Sequence, residues 1–449
     1  MSSLATLYPQ HLTVLQQRLE SALAAHGFDA LAVAAGEEKF AFLDDRPYGF
    51  QINPHFVHWL PLPQAIGSWL LLQPGAKPRL LYLQAEDYWH APPATPSGYW
   101  TEQVEVEVLR TPELLQTRLQ ALLPARCAQI AERDAQLDVA GTPNPEGLLA
   151  HLHFERGMKT PYELQLMRAA SQRAALGHLA AKAAFEAGGA EADIHAAYLA
   201  GSDQAERELP YGNIVGLGAH GAVLHWQFQD KQAPATPTSL LIDAGASCQG
   251  YAADITRTWL HPEGRGEAAR RFAALWQGME TLELALVDQV RAGTDYPAIH
   301  LDAHQRIASL LLDAGLVHGL SAEAAVAQGL SSAFFPHGIG HLLGAQVHDV
   351  AGLQIDRQGT RRERPAGHPY LRLTRRLEPG MVVTIEPGLY FIPLLLRELQ
   401  AGPLAGHVDW AAVETLQPFG GIRIEDDVAC RAEGAPENLT RDAFGRLQA

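Results

Sequence analysis

Four apolar stretches of this chain each carry a carboxylate where burial is expected. Asp243 closes LLIDAG, Asp254 lies in GYAADITRTW, Glu386 follows MVVTI, and Glu425 sits in GIRIED. Acidic side chains are almost never fully buried without a partner, and Asp is disfavoured inside strands. A fold that accepts these segments must bring the carboxylates to something that neutralises them. A single strand-end aspartate usually does no more than cap a turn. It is the set taken together that reads as one site.

The stretch PHGIGHLLGAQVHD supplies His337, His341 and His348 within twelve residues. His337 and His341 have the i, i+4 spacing of helical zinc ligands. Pro336, Gly338 and Gly340 argue against a helix there, so a loop or extended segment is expected. Its glycines would allow close backbone approach around a site. Asp243 and Asp254, eleven residues apart, flank AGASCQG with Gly245 and Gly250. A hairpin-like turn at that point would set both carboxylates on one side of a sheet. Four converging carboxylates repel and raise one another's pKa values, and two divalent cations would cancel that charge. One imidazole among oxygen donors suits Mn2+, with Co2+ and Zn2+ as alternatives.

The remaining text bounds the fold. At 449 residues two domains are expected, and 47% hydrophobic against 19% charged residues can fill large cores. A formal charge of −16 without a basic block argues against nucleic acid and anionic membranes as partners. Three cysteines without a CxxC pair fit a reduced cytoplasm and no thiolate zinc site. No basic leader with an apolar core and no apolar run of membrane length is read.

Leu12, Leu15, Leu19, Ala22 and Leu23 mark one helical stripe ended by Gly27, and ALAVAA (30–35) reads as a short strand. WLLLQPGAKPRLLYL (69–83) reads as a hairpin, and 85–100 as an aromatic-rich loop. A long helix begins after Thr160, with Pro161 at its first position and Glu163 completing a capping box. Helices near 162–187, 267–291 and 297–315 then alternate with runs of strands rather than strict βαβ units. That favours α+β with an antiparallel sheet covered by helices. The domains expected are 1–157 and 158–449.

These segments resemble the pita-bread metallopeptidases, and the whole chain resembles the bacterial Xaa-Pro dipeptidases, or prolidases. FLDDRPY, DYWH, LPYGNIV, VLHW, PYLRLTR and TRD are similar to that branch, so the likeness runs nearly full length. It implies an α+β fold with a creatinase-like N-terminal α/β domain before a catalytic pita-bread domain. It implies a metal-dependent enzyme that cleaves dipeptides ending in proline, with organophosphorus esters as a side activity. Asp243, Asp254, His341, Glu386 and Glu425 match the ligands of a dinuclear centre. Glu386, His348 and His337 match catalytic groups. Arg372 matches an arginine that binds the proline carboxylate, and His225, Tyr211 and Arg423 lie about the substrate. Asp45 and Trp89 match N-terminal residues that reach a partner subunit's site in relatives, so a homodimer is implied. Trp226 and Leu342 depart from the usual residues and bear on the preference for the residue before proline.

The expected chemistry is attack by activated water on the Xaa-Pro carbonyl. Glu386 would move a proton to the leaving nitrogen and His348 would stabilise the oxyanion. A buried Arg372 left unpaired by a longer peptide would give dipeptide selectivity. A non-catalytic binding module and a metal-free creatinase-like protein are the rivals from other classes. Both conflict with five filled ligand positions. Aminopeptidase P-like action on longer peptides is the rival within the fold.

Overall fold

The computed structural model describes residues 3–132 and 139–448. Two compact units emerge. One comprises Met1–Leu166, Cys248–Tyr251 and Ile355–Thr360; the other comprises Met167–Ser247, Ala252–Gln354 and Arg361–Ala449. No helix among the described residues is long and apolar enough to cross a membrane.

The first unit begins with helix α1 (Leu4–His26). Leu12, Leu15, Leu19, Ala22 and Leu23 are all buried, and the helix ends on Gly27 at φ +75°, a conformation open to glycine. Strands β1 (Ala30–Ala34), β2 (Trp69–Leu72), β3 (Arg79–Leu83), β4 (Glu105–Leu109), β5 (Cys127–Ile130) and β6 (Thr142–Pro143) form one sheet in the order β4-β3-β2-β1-β5-β6. The β2–β3 pair is the antiparallel hairpin expected from the sequence, whereas β1–β5 and β3–β4 are parallel. Helices α2 (Pro54–Val57), α3 (Pro112–Leu122) and α4 (Glu146–Arg156) complete the unit. Leu115 and Leu119 of α3 pack on Ala32, Trp69, Leu71 and Leu81.

Helix α5 (Pro161–Glu186) opens with the expected capping box. Thr160 N donates to Glu163 Oε2 at 2.8 Å, and Glu163 N to Thr160 Oγ1 at 3.4 Å.

The second unit continues through α6 (Glu191–Ser202), β7 (Ile214–Leu217) and β8 (Ser239–Asp243). Short strands β9 (Ser247–Cys248) and β10 (Tyr251–Ala252), of which Cys248 and Tyr251 are counted in the first unit, precede β11 (Thr256–Leu260). Helices α7 (Glu267–Val287), α8 (Tyr296–Asp313), α9 (Ala322–Ala327) and α10 (Leu330–Phe334) follow. Then come β12 (Val382–Ile385), β13 (Gly388–Tyr390), α11 (Pro393–Ala401) and α12 (Trp410–Leu416). The chain closes with β14 (Gly421–Arg423), β15 (Asp426–Ala429), β16 (Glu437–Asn438) and α13 (Leu439–Gln448). The α7 helix stops at Val287, short of the expected 291, because Asp288 and Gln289 turn and Gly293 takes φ +87°.

The ladders β7–β8, β8–β11, β12–β15, β15–β16 and β13–β14 are all antiparallel. The pleat sorts the residues of β8. Leu240 and Ile242 join Phe185, Ile194 and Tyr198 of the covering helices, whereas Leu241 meets Tyr390 from the opposite face. Asp243 shares the parity of Leu241, so the strand delivers its carboxylate to the face away from the helices.

Candidate metal centre

Each carboxylate enters the site where a strand ends or breaks. Asp243 is the last residue of β8, opposite Thr256 in the ladder. Glu386 follows β12 directly, and Glu425 stands in the gap between β14 and β15, bridged to Thr256. Asp254 was expected inside a strand; it lies instead in the break between β10 and β11. Its N–H leaves the ladder to donate to the carboxylate of Asp427, at 3.1 Å to Oδ2 and 3.3 Å to Oδ1. A side chain freed from the pleat can turn toward a common centre, which a regular strand would forbid for neighbours of opposite parity.

His341 lies in the irregular segment read from its glycines and prolines, not on a helix. Its Nδ1–H donates to the Leu342 carbonyl at 3.0 Å, which leaves Nε2 facing the carboxylates. Nε2 is 3.4 Å from Asp254 Oδ2 and 4.0 Å from Glu386 Oε1. Gly340 makes this approach feasible. At φ +150° it passes so close to β12 that a Cβ there would lie 2.2 Å from the Thr384 carbonyl oxygen. Thr384 Oγ1 in turn accepts the His341 N–H at 3.1 Å.

Asp254, His341 and Glu425 are buried, and each offers one donor atom within 4.8 Å of the others. Asp243 joins them through Tyr211, whose hydroxyl lies 2.8 Å from Asp243 Oδ1 and 2.6 Å from Asp254 Oδ1. That hydroxyl has a single proton for two acceptors. Glu425 Oε2 accepts from Thr256 Oγ1 at 2.7 Å. Arg423 spans the group. Its Nη2 donates to Asp243 Oδ2 at 2.7 Å, its Nη1 to Tyr390 Oη at 2.9 Å, and its Nε to Thr256 Oγ1 at 3.0 Å.

The electrostatics follow from burial. Burial, chiefly, pushes Glu425 well above the usual carboxylate range, raises Asp243, and lifts Glu386 to about 7. Asp254 differs: burial would raise it, but the bond and charge of His341 and the Tyr211 hydroxyl outweigh that and hold it low. Burial would likewise lower His341, yet Asp254 and Glu386 hold it up. Four carboxylates thus face one permanent cation, Arg423. In three of them burial outweighs that cation. An oxygen-rich donor set with one imidazole and surplus negative charge fits divalent cations.

The other residues singled out by sequence take different places. His348 keeps solvent exposure on one side, but its ring packs 4.4 Å from that of His341, and the loss of water on that side with the charges of His341 and Arg372 pushes it down to about 4. His337 donates Nδ1–H to the Gly338 carbonyl at 2.8 Å, and its Nε2 accepts from Tyr390 Oη at 2.8 Å. His225 is exposed, and its charge would bear on both His337 and His348. Arg372 was expected to be buried; it is exposed, on a loop between the buried Leu371 and Leu373. Its charge reaches His348. Asp45 and Trp89 belong to the first unit and are exposed.

Sequence reasoning overlooked the residues that brace this centre. Thr256, Thr384, Tyr390 and Asp427 are all buried and hydrogen-bonded to ligand candidates or to Arg423. The signal available was polarity within apolar runs, at TRTW, VVTI, GLY and EDDV. Asp426 is held by Arg257 at 2.7 Å and by Arg441 at 2.7 Å, an ion-pair knot behind Glu425. Their charges hold Asp426 down to about 2 against its burial.

Residues 6–154 match the family described as Xaa-Pro dipeptidase, N-terminal domain, and residues 165–432 match metallopeptidase family M24. The chain is 49% identical over 445 residues to an Xaa-Pro dipeptidase of Xanthomonas campestris pv. campestris (strain B100), covering 98% of each chain. It is 47% identical over 441 residues to an Xaa-Pro dipeptidase of Stenotrophomonas maltophilia (strain K279a), covering 98% of this chain and 97% of the relative. The aminopeptidase PepP of Pseudomonas aeruginosa superposes with a TM-score of 0.72 at 21% identity, covering 98% of both chains. Zinc-substituted Escherichia coli aminopeptidase P in complex with product gives 0.70 at 23% identity, covering 95% of both. At such identities these structures speak to the fold alone.

Proposed function

The chain belongs to metallopeptidase family M24, within its bacterial prolidase branch, and from that premise we propose that it hydrolyses dipeptides with C-terminal proline at a dinuclear centre. The ligands in this reading are Asp243, Asp254, His341, Glu386 and Glu425, and Mn2+ is the resident ion. The observation that carries it is the convergence of four carboxylates and one imidazole against a single guanidinium. The pita-bread designation for residues 158–449, and a homodimer, complete the reading.

Bound there, a pair of divalent cations supplies the missing positive charge, lowers the pKa of water and polarises a carbonyl. The protein's own groups do the rest. Glu386 accepts the proton of the attacking water on a carboxylate oxygen and delivers it to the proline nitrogen. That nitrogen carries no hydrogen in an Xaa-Pro amide and must gain one to leave. His348, at the open side of His341, donates to the oxygen on which negative charge develops. His337 has both nitrogens engaged, so it orients Tyr390 and Arg423 rather than shuttling a proton. Arg423 and Tyr211 hold the carboxylates in place. Arg372 and His225, both exposed, meet the substrate at the entrance, Arg372 by pairing with the proline carboxylate.

The rival reading within the fold is release of a first residue from longer peptides. A panel of Xaa-Pro dipeptides, Xaa-Pro-Xaa tripeptides and tripeptides ending in proline separates the two. Dipeptides alone should be turned over. Chelation should abolish turnover and added Mn2+ restore it. Faster cleavage of the Xaa-Pro-Xaa peptides, or full activity after chelation, would overturn the proposal.

A further inference from the structure

A second group of metal-type donors lies in the same unit, outside the carboxylate cluster. His300 and His304 sit one turn apart on α8, and both are 1% exposed. Residues at i and i+4 share a helix face, so both imidazoles point to one place. His368 meets them from a loop in which Gly367 takes φ +82°. His300 Nε2 is 2.9 Å from His368 Nδ1. The three ring centroids lie 4.7, 4.6 and 4.6 Å apart, and one nitrogen from each residue falls within 4.8 Å of the others.

We propose that His300, His304 and His368 form a separate site for a borderline divalent transition ion, Zn2+ foremost. The donor set is all imidazole. It has none of the oxygen ligands that Mg2+, Ca2+ and Mn2+ prefer, and it suits Zn2+, Ni2+ and Cu2+. Imidazoles bind metal in the neutral form. Burial, first of all, keeps these neutral, pushing His300 down to about 2 and His304 to about 3. His304 Nδ1 is 3.0 Å from Ser331 Oγ, an outer hydrogen bond of the kind that orients a ligating ring and leaves Nε2 free. His368 is half-buried beside exposed Gly367, Pro369 and Tyr370, which gives an ion a way in.

The plain alternative is a hydrogen-bonded histidine cluster filling the core. It leaves unexplained why three imidazoles, two of them 1% exposed, converge where His300 Nε2 to His368 Nδ1 is the one hydrogen bond that joins them among the described residues. Glu191, His220 and Asp230 form another grouping of donor atoms and show the contrast. There the Glu191 carboxylate already accepts from Leu217 N, Trp226 Nε1 and Asp230 N and lies 2.7 Å from His220 Nδ1, so an ion is not called for. Phe335 touches both regions, its ring 4.8 Å from His304 and 4.8 Å from His337, so the triad and the carboxylate centre are neighbours without sharing a ligand.

Equilibrium dialysis of the full chain against free Zn2+, with metal counted by mass spectrometry, tests this directly. The wild type should bind one equivalent more than His368→Ala and one more than His304→Gln. That difference holds whatever number the carboxylate centre takes, so its failure is distinct from failure of the dipeptidase reading. Co2+ gives a second readout. A four-coordinate, imidazole-rich site absorbs strongly in the visible, and this band should vanish in His368→Ala while the Xaa-Pro activity of the Mn2+-loaded protein persists. A wild type with no equivalent beyond the carboxylate centre's and no such band overturns the proposal, with no need for either variant to fold.

Discussion

Arg423 and Asp243 form an ion pair across 180 residues of chain, Nη2 to Oδ2 at 2.7 Å, with side chains only 5% and 13% exposed. The same guanidinium reaches Tyr390 and Thr256, so one cation sets the geometry of three groups. Arg423→Ala should weaken divalent-ion affinity roughly 10–100-fold, the usual effect of losing a group that orients a ligand. It should also destabilise the protein by about 3–5 kcal/mol, because Asp243 is left buried and unpaired. Arg423→Lys keeps the charge but not the fork, and should recover only part of the affinity. Chelator competition and urea unfolding read the two effects; wild-type ion affinity in the Ala variant would remove this role.

Gly340 has no room for a side chain. Its Cβ would meet Thr384 O at 2.2 Å and Tyr296 Oη at 2.4 Å, at φ +150°. Gly340→Ala should cost about 3 kcal/mol or more, from overpacking and backbone strain together. It should also displace His341 and lower ion affinity. Gly406→Ala, where a Cβ meets nothing within 4 Å, is the control and should stay within about 0.5 kcal/mol of wild type. Equal denaturation midpoints for the two variants would contradict the account.

Arg372 is exposed, so its contact with a substrate carboxylate is screened by water. Arg372→Ala should raise KM for Xaa-Pro dipeptides about 5–20-fold, roughly 1–2 kcal/mol, at and just below the lower end of the range for a charge-assisted hydrogen bond. Bound metal should not change. Unaltered dipeptide KM rules out the carboxylate contact.

In the first unit, His58 is 8% exposed, and its Nε2 lies 3.5 Å from Glu163 Oε1 without a hydrogen bond. Burial above all, then the charges of His11, Arg156, Arg18 and His55, holds its pKa well below 6.5. The folded protein keeps this ring neutral, while the unfolded chain takes a proton near 6.5. His58 therefore contributes stability that is fully present above that value and is lost as pH falls below it toward the folded pKa. Melting temperature should fall between about pH 7.5 and about pH 5, and by less in His58→Gln. Parallel pH profiles for the two proteins would count against it.

Patterns confined to one segment were legible in the sequence. The stripe of α1, the β2–β3 hairpin and the Thr160–Glu163 capping box each depend on residues a few positions apart, whose contacts follow from 3.6- and 2-residue periods. The apolar setting of Asp243, Asp254, Glu386 and Glu425 also marked them, since burial of a carboxylate demands compensation from somewhere.

Where that compensation comes from was not local. Asp254 reads as a strand residue until Asp427, 173 positions away, accepts its N–H and takes it out of the ladder. Arg372 reads as a buried anchor until the loop turns it to solvent between two inward leucines. Thr256, Tyr390 and Asp427 read as ordinary residues, and only the antiparallel pairings bring them behind the site. The chemical types the chain could gather are written in its order of residues. Which of them meet, and which histidines face one another, waits on strand register and helix packing, because hydrogen bonds and Coulomb forces act over a few ångströms and the segments that supply them lie far apart along the chain.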